Sequence, residues 1–157
     1  MADLSHIDKK GNAIMVDISS KTKTERTAIA TGYIEVHANT LGLIEDGGVK
    51  KGDVLSIAQL AGIMGAKRTS DLIPLCHQLN LTSVKVNLTC DPVRSVVDIE
   101  AICKLRGQTG VEMEALTAVC ITALTIYDMC KAVDKGMKIN NIHLTHKAGG
   151  NSDIYEA

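Results

Sequence analysis

The sequence predicts an α+β fold: a ferredoxin-like, four-stranded antiparallel sheet with helices on one face, reached through the order β, helices, β, β, α, β. Three observations carry that prediction. Residues 81–90 and 97–105 each alternate apolar and polar side chains, with Asp91-Pro92 between them as a turn, which is the pattern of two paired strands. Residues 109–136 form the longest stretch of unbroken helical character. Strand-like segments at 28–37 and 139–147 stand before the first helices and after the last one.

Residues 1–24 are polar and sprinkled with Lys9, Lys10, Lys21 and Lys23 around one apolar patch at 14–18. They read as a partly flexible arm with one element that docks, preceding a single catalytic domain over 25–157. Residues 28–37 make the first strand despite Gly32. A short helical turn follows over 40–46, closed by Gly47-Gly48, and Lys50-Lys51-Gly52 is a basic loop. Asp53 is placed to cap a helix over 54–67, where Val54, Ile57, Ala58, Ala61 and Met64 recur at helical spacing. Residues 69–73 restart a helix briefly until Pro74. The two middle strands come next, and then the long helix. Thr109 with Glu112 has the capping-box spacing, and Lys135-Gly136 has the character of a helix end. In the last strand Ile142 and Leu144 are expected to point inward.

Composition narrows the function classes. The chain has 157 residues, 45% of them hydrophobic, with no Phe or Trp, so its core is built from Leu, Ile, Val, Met and Ala. The net charge of -1 and only three tyrosines argue against a nucleic-acid surface. No leader-like N-terminal segment is present and no run nears the ~18 apolar residues of a membrane span, so the chain reads as soluble and cytoplasmic. Its five cysteines form no CxxC pair and read as reduced thiols rather than a zinc cage or a disulfide frame.

Three clusters carry chemistry. His77, after Asp71-Leu-Ile-Pro-Leu-Cys76, lies in an irregular segment where catalytic side chains often sit, although a merely solvated turn histidine fits the same pattern. Cys76 and His77 are adjacent on extended chain and point apart, so they do not form a nucleophile pair. Arg26, Lys51, Lys67, Arg68 and Lys147 are loop or near-loop cations, and Gly149-Gly150 after Lys147 lets backbone approach a ligand. Asp128 and Lys131 are either a helical ion pair or a proton-transfer unit. Glu114 and Asp128 share a helix face but stand fourteen residues apart, about 21 Å at ~1.5 Å per residue. One small-molecule site using both ends then needs two antiparallel copies of the helix, hence a homo-oligomer with an interfacial site.

The segments at 71–77, at 110–118 (Gly-Val-Glu-Met-Glu-Ala-Leu-Thr-Ala) and at 124–132 (Leu-Thr-Ile-Tyr-Asp-Met-Cys-Lys-Ala) resemble the cyclic pyranopterin monophosphate synthases. These are the molybdenum cofactor biosynthesis protein C family. Residues 6–17, 51–53, 66–69 and 147–150 resemble it too, so the likeness covers nearly the whole chain. The resemblance implies a ferredoxin-like subunit in a homohexamer, a trimer of dimers with sites at subunit interfaces. It implies a lyase that converts the cyclic dihydro-GTP intermediate to cyclic pyranopterin monophosphate and releases pyrophosphate, a reaction that requires no redox cofactor, and no metal-ligating residues are assigned. Asp128 would be catalytic, with Lys131 and Lys51 as proton-transfer partners. Leu75, Cys76, His77, Met113 and Glu114 would contact substrate with Glu112 close by, and Arg26, Lys67 and Lys147 would meet the phosphates. Two positions depart from the family pattern: Gln78 where proline is usual, and Asn151 with Asp153 where a basic residue usually follows the glycines. A non-catalytic oligomeric module that binds a small ligand is the alternative, separated from the enzyme by whether Asp128→Asn abolishes turnover.

Overall fold

A computed structural model describes residues 4–47, 53–150 and 154–157. Lys51, Asn151 and Asp153, singled out above, lie outside the described residues. The elements are β1 (Thr24–Glu35), α1 (Ala38–Glu45), α2 (Val54–Lys67), α3 (Thr69–Leu72), β2 (Ser83–Asp91), β3 (Val96–Gly107), α4 (Glu112–Cys130), β4 (Lys138–Ala148) and β5 (Tyr155–Glu156). They form an open antiparallel sheet in the order β2-β3-β1-β4-β5. The expected sheet of four strands is thereby corrected to five. The extra strand is two residues of the C-terminal tail that pair with His146 and Lys147 on the outer edge of β4, too short to announce itself by alternation.

Both long helices lie on one face. Val86 of β2 pairs with Ala101 of β3, and Ala101 with Ala30 of β1, so these residues share a face with Gly32 two positions on. A Cβ placed on Gly62 of α2 would touch the Val86 side chain, and one on Gly32 would touch Val119 of α4, so both helices cover that face. The middle of the face is made of small side chains. Ala28, Ala30, Ala101 and Cys103 are fully buried beneath Ala115, Ala118, Val119 and Ala123 of α4, which lets the helix sit close without large aromatics. The opposite face is polar: Asn87 donates to Glu100 at 2.8 Å, and the Arg94 guanidinium lies 5.8 Å over the Tyr33 ring.

Helix ends deviate from the sequence expectation in instructive ways. Asp53 caps α2 as expected, accepting the Ser56 N–H at 3.0 Å. On α2, however, Ile57, Leu60 and Met64 are exposed, while Val54, Ala58, Gly62, Gly65 and Ala66 are buried, so the inward face is the glycine-alanine one. The capping box at Thr109 does not form: α4 starts at Glu112 with Val111 as its N-cap and no side-chain cap. Glu112 instead turns its carboxylate to Lys147. At the other end α4 stops at Cys130, and the chain beyond it is tied down by the buried Asp134 carboxylate, which accepts from the His37 amide at 2.8 Å and the Gly136 amide at 3.1 Å. Among the described residues α4 alone is long and apolar enough, by length and composition, to cross a membrane, and 56% of it is buried within the fold. Here it is the core helix.

One sheet irregularity matters for function. The β1–β4 register shifts between Ile29 and Ala30 and again between Thr31 and Tyr33. The shifts leave Thr145 and Asn141 (φ 54) as extra residues, with the Thr145 hydroxyl donating to the Ile29 carbonyl at 3.2 Å. Lys147 therefore lies opposite Ala28 and Leu144 opposite Ala30, on the helix side together. Strict alternation would have put Lys147 and Leu144 on opposite faces.

Candidate active site

Two adjoining chambers open where α4 begins. The first, about 260 Å³, is lined by Leu75, Cys76, His77, Leu79, Met113 and Glu114, and by His6, Val16 and Ile18 from the N-terminal segment. The second, about 350 Å³, is lined by Thr22, Thr24, Arg26, Gln108, Lys147 and Gly150. Lys21, Thr109, Gly110 and Glu112 line both and form the passage between them.

Local sequence places the first wall. Pro74 bars the preceding residue from helical backbone, so Ile73 is extended (φ -110, ψ 107) and α3 ends. Leu75, Cys76 and His77 then run along the chamber. The His77 Nε2–H donates to the Val16 carbonyl at 2.7 Å. This bond requires a proton on Nε2, and in the neutral ring Nδ1 is then the acceptor. Glu114, in the first turn of α4, is only 4% exposed. Burial pushes its carboxyl up to about 7, its own amide hydrogen bond pulls the other way, and the Glu112 charge adds to the rise. No cation among the described residues pairs with Glu114. Burial likewise raises the Cys76 thiol, with Glu114 adding to it, and drives Cys103 to about 12. Neither thiol is activated as a thiolate nucleophile.

The second chamber is cationic. Arg26 lies half-buried, its Nε donating to the Gly107 carbonyl at 3.3 Å and its Nη1 to the Gly149 carbonyl at 3.4 Å. Gly149 and Gly150 adopt φ 105 and 77, and Cβ atoms there would fall 2.0 Å from the Glu25 carbonyl oxygen and 1.9 Å from Arg26 Nη1. The pair of glycines thus lets the chain wrap the arginine. Lys147 pairs with Glu112 across the passage. A Cβ on Gly110 would lie 2.0 Å from Glu112 Oε2, so a side chain there would displace this carboxylate. Thr24 keeps a buried hydroxyl oxygen with no hydrogen-bond partner among the described residues. No group of three or more His, Cys, Asp and Glu among the described residues has the arrangement of a metal site.

Of the residues expected from sequence, Leu75, Cys76, His77, Glu112, Met113 and Glu114 share the first chamber, and Arg26 and Lys147 share the second with Glu112. Lys67 is exposed at the end of α2 and lines neither. Asp128 and Lys131 form an ion pair at 2.6 Å with side chains 61% and 56% exposed, about 21 Å along α4 from Glu114. Hydrogen bonding to Asp128 and its charge hold the Lys131 ammonium above its ordinary value. Within one chain, then, Lys131 meets the Asp128 carboxylate with more than half of its side chain exposed. The sequence reading passed over Lys21, Thr22, Thr24, Gln108, Thr109 and Gly110 as chamber residues. Lys21 was one of several lysines in a polar arm, and only its place at the passage distinguishes it.

Comparison with known proteins closes the description. The chain matches the profile of the MoaC family over residues 15–150. A cyclic pyranopterin monophosphate synthase of Rhodospirillum rubrum is 62% identical over 154 residues, covering 98% of this chain and 93% of that protein. Proteins of the same name from Chloroflexus aggregans and Heliobacterium modesticaldum are 59% and 56% identical, covering 98% and 99% of this chain and 93% and 98% of theirs.

Proposed function

The chain belongs to the MoaC family, and from that premise and the paired chambers we propose that it is a cyclic pyranopterin monophosphate synthase of molybdenum cofactor biosynthesis. The reaction is the conversion of a cyclic dihydro-GTP intermediate to cyclic pyranopterin monophosphate with loss of pyrophosphate, a lyase reaction in the cytoplasm. The observation that carries it is the joining of an acidic, half-apolar chamber to a cationic one through Glu112 and Lys21. A purine-derived triphosphate has that polarity.

The base half fits the first chamber. Guanine presents N–H donors, which the Glu112 and Glu114 carboxyls are suited to accept. With its pKa near 7, Glu114 exists in both protonation states near neutral pH and is matched to proton transfer. Leu75 and Met113 supply apolar walls, and the His77 Nδ1 is the acceptor left after Nε2 is used. The triphosphate half fits the second chamber. Expelling pyrophosphate while a cyclic phosphate closes leaves negative charge on the departing oxygens, and Arg26, Lys147 and Lys21 are the cations that stabilise it.

Asp128 and Lys131 enter as the catalytic pair, supplied to this chamber by a second subunit, with Lys51 as a further proton-transfer partner. What supports this is their distance from Glu114 along one straight helix and the exposed apolar side chains of Ile57, Leu60 and Met64 on one face of α2. A homohexamer built as a trimer of dimers provides such an arrangement. The ferredoxin-like reading of the subunit is supported by the central strand order β2-β3-β1-β4 with α2 and α4 on one face.

The test is pyrophosphate release from the cyclic dihydro-GTP intermediate by wild type, Asp128→Asn and Lys131→Ala. Release by wild type and loss of at least about 100-fold in either variant, with assembly unchanged, is expected. Wild-type rates in a well-folded Asp128→Asn protein would remove Asp128 from the chemistry. Absence of release from wild type would leave a ligand-binding module.

A further inference from the structure

We infer that Gln108 is a positioning residue that brackets the turn carrying Lys21, so that this lysine is held at the passage between the chambers to meet a bound polyphosphate. The inference rests on the reading of the second chamber as a phosphate site. Three contacts fix the N-terminal segment before β1. The Val16 carbonyl accepts the His77 ring at 2.7 Å, the Asp17 carboxylate accepts the Ser19 amide at 2.9 Å, and the Lys21 amide donates to the Ile18 carbonyl at 3.0 Å, closing a tight turn. The Gln108 Nε2 then donates to two carbonyls of that turn, Ser19 at 3.3 Å and Lys21 at 2.9 Å.

The side chain at 108 is suited to this task by its chemistry. A carboxamide carries two N–H donors on one nitrogen and so serves two carbonyls at once, whereas a carboxylate has none to offer and a leucine of similar size has no polar group. Gln108 directly follows Gly107, whose carbonyl receives Arg26 Nε. The same corner of the chain thus fixes the arginine and the lysine of one chamber. Without the bracket, the exposed loop keeps its backbone freedom, and ordering it on a ligand then costs conformational entropy. That cost falls on polyphosphate binding rather than on the fold.

The experiment uses the full chain in its native assembly and inorganic triphosphate as the probe, followed by calorimetry. Gln108→Leu and Lys21→Met are each expected to raise Kd about tenfold, as loss of one charge-assisted contact does. The double variant should bind no worse than the weaker single one, because both remove the same interaction. Gln108→Leu should melt within about 2 °C of wild type, because the turn it brackets, residues 19–21, is exposed and its two carbonyls can turn to water. The idea is overturned if Gln108→Leu binds like wild type, if the two penalties multiply, or if wild type does not bind triphosphate. Turnover of the cyclic dihydro-GTP intermediate is read separately. A wild type that binds triphosphate yet releases no pyrophosphate sinks the enzyme reading and leaves the bracket standing.

Discussion

At the scale of single residues, Glu114 carries the sharpest consequence. Its carboxyl titrates near 7 in the fold against an ordinary value of 4.5, because burial disfavours the charge. Between those pH values the folded chain retains a proton that the unfolded chain has lost. Stability contributed by this group is present below about 4.5 and is lost as pH rises towards 7, by an amount on the order of 3 kcal/mol at ~1.4 kcal/mol per pH unit. Glu114→Gln removes the titration. Chemical denaturation of wild type and variant from pH 5 to 8 should show the variant gaining on wild type as pH rises. A constant difference across that range would show that the carboxyl is ionised throughout. The Glu114→Gln enzyme should also lose the corresponding ionisation from its pH–rate profile.

At the scale of elements, the α2–α4 contact is set by absent side chains. A Cβ on Gly62 would lie 2.1 Å from Thr122 Oγ1 and 3.1 Å from the Ala118 carbonyl, and one on Gly65 would lie 2.8 Å from the Ile121 side chain. Gly62→Ala adds helix propensity worth about 1 kcal/mol but forces α4 away, a clash that typically costs 1–3 kcal/mol. A net loss of about 1 kcal/mol is expected in urea denaturation, partly recovered in Gly62→Ala with Thr122→Ala. An unchanged midpoint for Gly62→Ala would mean that the helices slide apart freely. This contact also shows what was legible in the sequence. Val54 and Ala58 were readable as core, and the Asp53 cap, the β2–β3 pair and the chemistry of residues 75–77 and 112–114 follow from local pattern. The glycine face of α2 did not, since periodicity counts apolar side chains and Ile57 and Met64 supplied the louder signal. The start of α4 was misplaced because Glu112 is claimed by Lys147, a partner that local spacing does not reveal. Lys147 itself reaches the helix side through the extra residue Thr145, and Lys21 reaches its place through Gln108. Such contacts between distant parts of the chain are set by topology, not by local motif.

At the scale of the whole molecule, the two groups of residues assigned to the proposed reaction do not meet within one subunit. Glu112, Glu114 and the chamber cations stand at the start of α4, while Asp128 and Lys131 lie exposed near its end. If each working site takes its first half from one subunit and its second from another, inactive variants of opposite halves should complement. Glu114→Gln and Asp128→Asn, each expected to lose most activity alone, are unfolded together in denaturant and refolded as a mixture. Random pairing at equal amounts gives about a quarter of the sites two intact halves, so pyrophosphate release should recover to roughly a quarter of the wild-type rate, provided that sites act independently. Mixing without dissociation should recover little. A site complete within one chain gives no recovery in either case, since every subunit then carries one lesion in its own site. On the same premise activity should depend on assembly: Leu60→Glu, on the exposed apolar face of α2, should shift the protein towards smaller species in light scattering and lower its specific activity in parallel. Full activity from a monomeric Leu60→Glu protein would place both halves of the site within reach of a single chain.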